Sequence, residues 1–370
     1  MRRNDNVLIA LTMGDPGGIG PEIILKGFSK FKERPWQVVV IGDYYCLQKK
    51  GKELGLSINF KRVANISETD FSPENLNILD MKNLPPEIPR RGQWPQPNGA
   101  AAPNSKQNFV NKTEIGGSVV QGEANKESGK ASYEYIKKAV ELALADKVSA
   151  IVTAPINKKS ISLAGLSYAG HTEILAELTD TKDVAMMLIG GKIRVVLVTT
   201  HVAISEVNEF IQKDRIFKII SLANRSLRLF GIDVPCIAVA GLNPHAGDSG
   251  IFGNEEINEI LPAINKAKEQ GINVTGPYPA DSLFVKAKRG EFDVVIVMYH
   301  DQGLIPVKME GFGKGVNVTL GLPVIRTSVD HGTAFDIAGK GIAETGSLIA
   351  ALEVAVTLTK NKKKNLIALP

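Results

Sequence analysis

Short apolar runs rich in β-branched residues recur along this chain, most of them followed by a segment of helical periodicity. That alternation restricts the chain to a sheet covered by helices. The runs are Val7–Leu11, Gln37–Ile41, Ala150–Thr153, Val184–Ile189, Ile193–Thr199, Cys236–Ala240 and the VVIVM that follows Asp293. Runs this short bounded by turn residues read as strands buried on both faces, as in a parallel or mixed sheet. Shorter strands are expected at Ile58–Val63 and Leu76–Met81. Helices are expected from the glycine loop Gly14–Glu22 to about Phe31, then over Tyr44–Leu54, Ala131–Ala145, Lys213–Phe230, Glu256–Lys268 and Thr345–Leu358. In Lys213–Phe230, the residues Ile216, Ile219, Ile220, Ala223, Leu227 and Phe230 share one face. Another helix is expected to begin at His171-Thr172-Glu173, with Thr172 as its cap. The fold class is α/β.

A chain of 370 residues exceeds one small domain, and two are expected. The pattern breaks between Leu84 and Lys130, where six prolines from Pro85 to Pro103 are scattered among Gly, Asn, Gln and Lys. This reads as a long irregular excursion. The net charge of +5 is modest, aromatics make up 6% of the chain, and no basic stripe is interleaved with them. Nucleic acid is therefore not an expected partner. No apolar stretch is long enough to span a bilayer, and MRRNDN leads into only a short apolar run, so neither a membrane nor a signal segment is expected. Cys46 and Cys236 are expected to be buried free thiols in a reducing cytoplasm.

The reactive side chains follow the strands. The first 170 residues contain no histidine; the rest of the chain holds His171, His201, His245, His300 and His331. His201, His245 and His300 each stand just after a run read as a buried strand, where α/β sheets form their ligand crevice. A lone loop histidine is more often structural than a ligand, but three in one context make a candidate divalent-metal site. There is no HExxH and no CxxC, so the argument is one of context and not of spacing. Asp281 and Asp301 are candidates for holding the imidazole tautomers. Lys308 and Arg326, with Asn317 as a neutral donor and His171-Thr172 at a helix start, suit a phosphate or carboxylate. Ordinary surface charge is the plain alternative for Lys308, less so for Arg326 within its apolar run. The loop Gly14–Glu22 is not G-x-G-x-x-G, and no GxxxxGK[ST] occurs, so it is weak evidence for a phosphate cradle.

The segments MGDPGGIGPE, TAPINK, GHTE, TTH, GLNPHAGD, GPYPAD, YHDQGLIPVK and GFGKGVNVTLGLPVIRTSVDHGTAFDIAGKG resemble those of the 4-hydroxythreonine-4-phosphate dehydrogenase family of bacterial pyridoxal phosphate (vitamin B6) biosynthesis. The resemblance runs from about Val7 to the C-terminal helix and fails in Leu84–Lys130. The GD…GIGPE and HGTAFDIAGKGIA segments are also similar to the wider isocitrate and isopropylmalate dehydrogenase group. Members of that group bind metal through aspartates, so the histidines here favour the narrower family.

The resemblance implies two α/β/α domains with a cleft between them, isocitrate/isopropylmalate dehydrogenase-like. The larger domain would be residues 1–128 plus 310–370; the second, residues 129–309, would carry metal ligands and dimer contacts. It implies a homodimer with active sites shared across the interface. His201, His245 and His300 would hold one divalent cation (Zn, Co, Mg or Mn), drawn from both partners. His171, Thr172, Lys308, Asn317 and Arg326 would bind a phosphorylated substrate. His331, Gly332, Thr333 and Asp336 would meet NAD or NADP. Asp281 and Asp301 match acidic residues that maintain the site, and Asp281, Lys158 or a metal-bound water remain open as the general base. The implied reaction oxidises 4-hydroxythreonine 4-phosphate to a β-keto acid, 2-amino-3-oxo-4-phosphooxybutanoate, which loses CO2 to give 3-amino-2-oxopropyl phosphate. The same family admits D-threonate or D-erythronate 4-phosphate as substrate. A non-redox metal-dependent lyase or phosphohydrolase is the reading from another class, and the HGTAFDIAG segment counts against it.

Overall fold

One sheet of twelve strands runs through the structure, a computed structural model that describes residues 7–32, 34–84, 114–115 and 119–367. The first part of the chain forms β1 (Leu8–Thr12), α1 (Gly20–Phe31), β2 (Gln37–Gly42), α2 (Tyr44–Glu53), β3 (Asn59–Val63) and β4 (Asn75–Asp80). A separate small hairpin, β5 (Glu114–Ile115) with β6 (Val119–Val120), precedes α3 (Lys126–Leu144), β7 (Ala150–Thr153), α4 (Lys158–Leu163) and α5 (His171–Leu178). Then come β8 (Ala185–Gly190), β9 (Ile193–Leu197), α6 (Lys213–Leu227), β10 (Ile237–Ala240), α7 (Leu261–Glu269), β11 (Val274–Tyr278) and α8 (Ala280–Arg289). The chain ends with β12 (Val294–Val297), α9 (His300–Glu310), β13 (Val316–Leu320), β14 (Arg326–Val329) and α10 (Gly346–Ile367). No helix among the described residues is long and apolar enough to cross a membrane.

The strand order is β3-β4-β2-β1-β7-β14-β13-β8-β9-β12-β10-β11. Neighbours from β3 to β14 are all parallel, and so are those from β9 to β11. Between these halves, β13 runs antiparallel to both β14 and β8, and β8 turns back into β9 across Gly190-Gly191. Most of the expected strands are buried on both faces, Ile9, Leu11, Val39, Ile41, Ile151, Val196, Ile237 and Ile296 having no exposed surface, whereas β3 at the sheet edge is largely exposed. Residue 129, expected to begin the second domain, falls inside α3, and β7 pairs with β1 and β14 in the first half of the sheet.

Several elements differ from expectation for identifiable reasons. Helix α3 starts at Lys126, not Ala131, because Asn125 caps it, its side chain accepting from the N–H groups of Glu127 and Ser128. The polar KESGK turn hides that start. Helix α4 was not expected; Asn157 caps it by accepting from Ser160 N at 3.0 Å. Strand β11 and helix α8 were missed because Gly276 and Pro277 stand within the strand. Helix α9 occupies what reads as a loop, since Gly303 and Pro306 within it look like breakers. Gly303 is needed there: a Cβ would stand 2.8 Å from Val297 Cγ2, so glycine lets α9 lie on the sheet. Gly170, not Thr172, is the N-cap of α5. Cys46 is buried as expected, whereas Cys236 is only partly so; both are free. Most of the Pro-rich excursion, residues 85–113 and 116–118, lies outside the described residues.

Helices α3 and α4 meet so closely that a Cβ on Gly129 would come 1.9 Å from the Ser160 carbonyl oxygen. Gly129→Ala is expected to destabilise the fold by about 3 kcal/mol, the upper end for overpacking. Urea unfolding checks it, and an unchanged midpoint would refute the close packing.

Candidate functional site

The central strands present one wall of a cavity of about 520 Å3 where the sheet changes from parallel to antiparallel. Thr153 of β7, Arg326 and Ser328 of β14, Asn317 of β13, and Met186 and Leu188 of β8 line it. Register explains the selection. Asn317 pairs with both Ser328 and Leu188, so residues at period two from adjacent strands fall on one face. The starts of α4 and α5 and one side of α9 close the remaining walls.

Arg326 dominates the wall. It is 1% exposed, and its guanidinium donates to Thr319 Oγ1 at 2.9 Å and Thr153 Oγ1 at 2.7 Å. Nε has no partner, and no carboxylate pairs with the group among the described residues. Burial pulls its pKa down to about 9, still cationic at neutral pH. A buried charge without a counter-ion costs several kcal/mol. Two more enclosed polar atoms in this cavity also lack partners: His171 Nε2 and Asn317 Oδ1. Burial, and then the Arg326 charge, hold the His171 pKa well below the usual imidazole range, so His171 stands neutral. Orphaned polar atoms this concentrated mark a polar ligand's seat. The lining carries Lys158, Lys182, Arg215, Lys308 and Arg326 against Glu173 and Asp330. An anion fits.

Five residues expected to bind substrate, His171, Thr172, Lys308, Asn317 and Arg326, thus line one cavity. His201 and His300 stand at its edge, and both also line an adjoining cavity of about 390 Å3. Their ring centroids are 5.8 Å apart. His300 Nδ1 lies 2.7 Å from Asp301 Oδ1, a contact that fixes the tautomer and leaves Nε2 as the free acceptor nitrogen. Partial burial, then the charges of Lys158 and His300, lower the His201 pKa and favour the neutral imidazole. Within a single chain, no group of three His, Cys, Asp or Glu that could hold a metal ion occurs among the described residues.

His245 lines neither cavity. It is exposed on a left-handed turn, with φ of 53° at His245, 53° at Ala246, 79° at Gly247, 40° at Asp248 and 58° at Ser249. Left-handed backbone costs about 1–2 kcal/mol per non-glycine residue. The turn is over-determined by Glu256, whose carboxylate accepts from Leu242 N (2.7 Å), Asn243 N (2.8 Å) and Asn243 Nδ2 (2.9 Å). Strain so firmly held is characteristic of functional turns.

Of the remaining candidates, Lys158 lines the cavity, as do His331 and Gly332. Asp281, near the start of α8, is exposed and outside it; Asp336 is also exposed and outside. Thr333 is buried, its carbonyl accepting from Ile19 N at 3.0 Å. The loop that follows is held by α1. Glu22 accepts from Ala343 N (2.8 Å) and Gly341 N (3.3 Å), and Lys26 donates to the carbonyls of the same two residues. This explains GIGPE and HGTAFDIAGKG as one structural unit. Sequence reasoning missed Arg215 and Lys182, which sit in polar segments with no motif to mark them.

Comparison with known proteins points the same way. The family model described as pyridoxal phosphate biosynthetic protein PdxA matches residues 34–355. A putative D-threonate 4-phosphate dehydrogenase of Oceanobacillus iheyensis is 43% identical over 361 residues, covering 96% of this chain and 98% of the relative. A 4-hydroxythreonine-4-phosphate dehydrogenase of Beijerinckia indica is 44% identical over 351 residues, covering 95% and 94%. The crystal structure of 4-hydroxythreonine-4-phosphate dehydrogenase from Klebsiella pneumoniae superposes with a TM-score of 0.79 at 39% identity, covering 95% of this chain and 99% of that one. These matches bear out the α/β fold class, the dehydrogenase reading and the resemblance carried by the motifs.

Proposed function

Because this chain belongs to the pyridoxal phosphate biosynthetic protein PdxA family, we propose that it oxidises 4-hydroxythreonine 4-phosphate at its C3 hydroxyl, the β-keto acid product then losing CO2. The observation that carries this reading is the unpaired, buried Arg326 beside the orphaned His171 Nε2 and Asn317 Oδ1. Phosphate supplies the missing countercharge and acceptors, and His171, Thr172 and Lys308 complete its ring of donors. Several relatives carry the name D-threonate 4-phosphate dehydrogenase, so that substrate is the second reading.

The residues also fit a divalent cation and a nicotinamide. His201 and His300 are two imidazoles within reach of one ion, and we assign the third ligand to His245 of a second copy of the chain. Exposed apolar side chains beside these ligands support such a homodimer: Ile305, Met309 and Phe312 on or just beyond α9, and Ile251 and Phe252 beside the His245 turn. When bound, the cation supplies Lewis acidity at the substrate hydroxyl and the nicotinamide accepts the hydride. Asp301 orients His300. Lys158, the one general-base candidate of the chain that lines the cavity, is assigned the hydroxyl proton. The loop from His331 to Asp336 is assigned the cofactor, with Glu22 and Lys26 holding the segment just beyond it through Gly341 and Ala343.

NADH formation with 4-hydroxythreonine 4-phosphate and with D-threonate 4-phosphate, each with a divalent metal, tests the reading. Faster turnover of the first supports it, faster turnover of the second transfers the assignment, and no NADH from either overturns it.

A further inference from the structure

Arg215 has no assigned role, yet it lines the same cavity as Arg326, from the start of α6. Its Nε donates to the carbonyl oxygen of Val198 at 2.7 Å, just past the end of β9. That bond fixes the side chain and leaves both terminal amines without a protein partner among the described residues. Nearby acids are already engaged: Asp214 pairs with Lys266 at 2.9 Å and Asp183 with Lys218 at 3.1 Å. Lys182, also lining the cavity, adds a second cation without an acidic partner among the described residues.

We infer that Arg215 binds the carboxylate of the substrate, while Arg326 binds its phosphate. This assignment rests on the proposed four-carbon acid phosphate as substrate. The spacing suits it. Strand β9 is three neighbours from β14 in the sheet, so the two anchoring strands lie roughly 14 Å apart. An extended four-carbon acid phosphate spans roughly 6 Å by ordinary bond lengths. A charge-assisted hydrogen bond of about 2.8 Å at each end, together with the reach of the two arginine side chains, closes the remainder. His201 follows Val198 by three residues, so the metal side of the site and the Arg215 anchor share one strand exit. A planar guanidinium fixed through Nε presents its two terminal amines as a fork, the geometry that matches a carboxylate.

The test pairs a change in the protein with a change in the ligand. Binding of D-threonate 4-phosphate is compared by calorimetry with that of the polyol phosphate bearing a hydroxymethyl group in place of the carboxylate. The wild-type protein is expected to prefer the acid by about ten- to hundredfold, the worth of a charged hydrogen-bonded pair. Arg215→Gln should abolish that preference while leaving inorganic phosphate binding unchanged, and Arg215→Lys should restore part of it. A preference that survives Arg215→Gln, or an equal loss for both ligands, overturns the assignment and leaves Arg215 as a tether for the β9 exit. The redox reading fails separately. If wild-type protein forms no NADH yet shows the Arg215-dependent preference, the subsite stands and the dehydrogenase does not.

Discussion

Arg326→Met is expected to raise KM for the phosphorylated substrate by at least about a hundredfold while leaving the fold intact. The argument is electrostatic. In the proposed complex the phosphate and the guanidinium are a buried pair, and removing one partner of such a pair costs about 3–5 kcal/mol. Without ligand the guanidinium has no counter-ion among the described residues, so replacing it by an apolar side chain of similar length relieves a charge held out of water. The variant should therefore be at least as stable as the parent in phosphate-free buffer. The parent alone should gain stability from inorganic phosphate, about 2.7 kcal/mol at a hundredfold excess over the dissociation constant. Thermal unfolding with and without phosphate checks both statements. A phosphate-induced rise that persists in Arg326→Met would remove this residue from the anion site, and a large fall in its phosphate-free midpoint would mark it as structural.

The second large effect concerns His245. Its ring lines neither cavity that holds His201 and His300, so in one chain His245→Ala should leave the site untouched. In the proposed dimer it removes a ligand. Metal affinity should then fall by more than the roughly 10–100-fold typical of losing an outer-shell partner, and His201→Ala should do the same. Co-assembled His201→Ala and His245→Ala chains should recover metal, because one of the two sites in the mixed dimer keeps all its imidazoles. Metal analysis of the purified mixture decides the matter. Full metal content in His245→Ala, or no recovery on mixing, would show that the site does not cross between chains.

Much of the sheet was legible because its strands are runs of Val, Ile and Ala buried on both faces, a pattern few other elements share. The helices that escaped notice were those whose local chemistry argues the other way. Helix α9 carries Gly303 and Pro306, and α4 is a short polar turn held by Asn157. In both, tertiary packing overrides propensity. The substrate-binding candidates were legible from their position after strands and from the motifs, and the cavity gathers all five of them. Arg215 was not, since in the sequence an arginine between Asp214 and Ile216 looks like any solvated helix residue. The missing countercharge of Arg326 was equally invisible: absence of a partner is a property of the packed structure. So was the strain at His245, which needs backbone angles to be seen.

The β13–β14 hairpin fills the gap between β7 and β8, which has a consequence for the order in which the protein can be assembled. Strands β7 and β8 are made long before residues 316–329 leave the ribosome. Until then each half of the sheet carries a naked inner edge, the kind of surface that recruits other chains. The late hairpin is the keystone that seals both edges, and it is also the segment that carries Asn317 and Arg326. Closing the sheet and installing the proposed phosphate anchor are therefore the same event, and a chain caught before it has neither a finished fold nor the completed cavity.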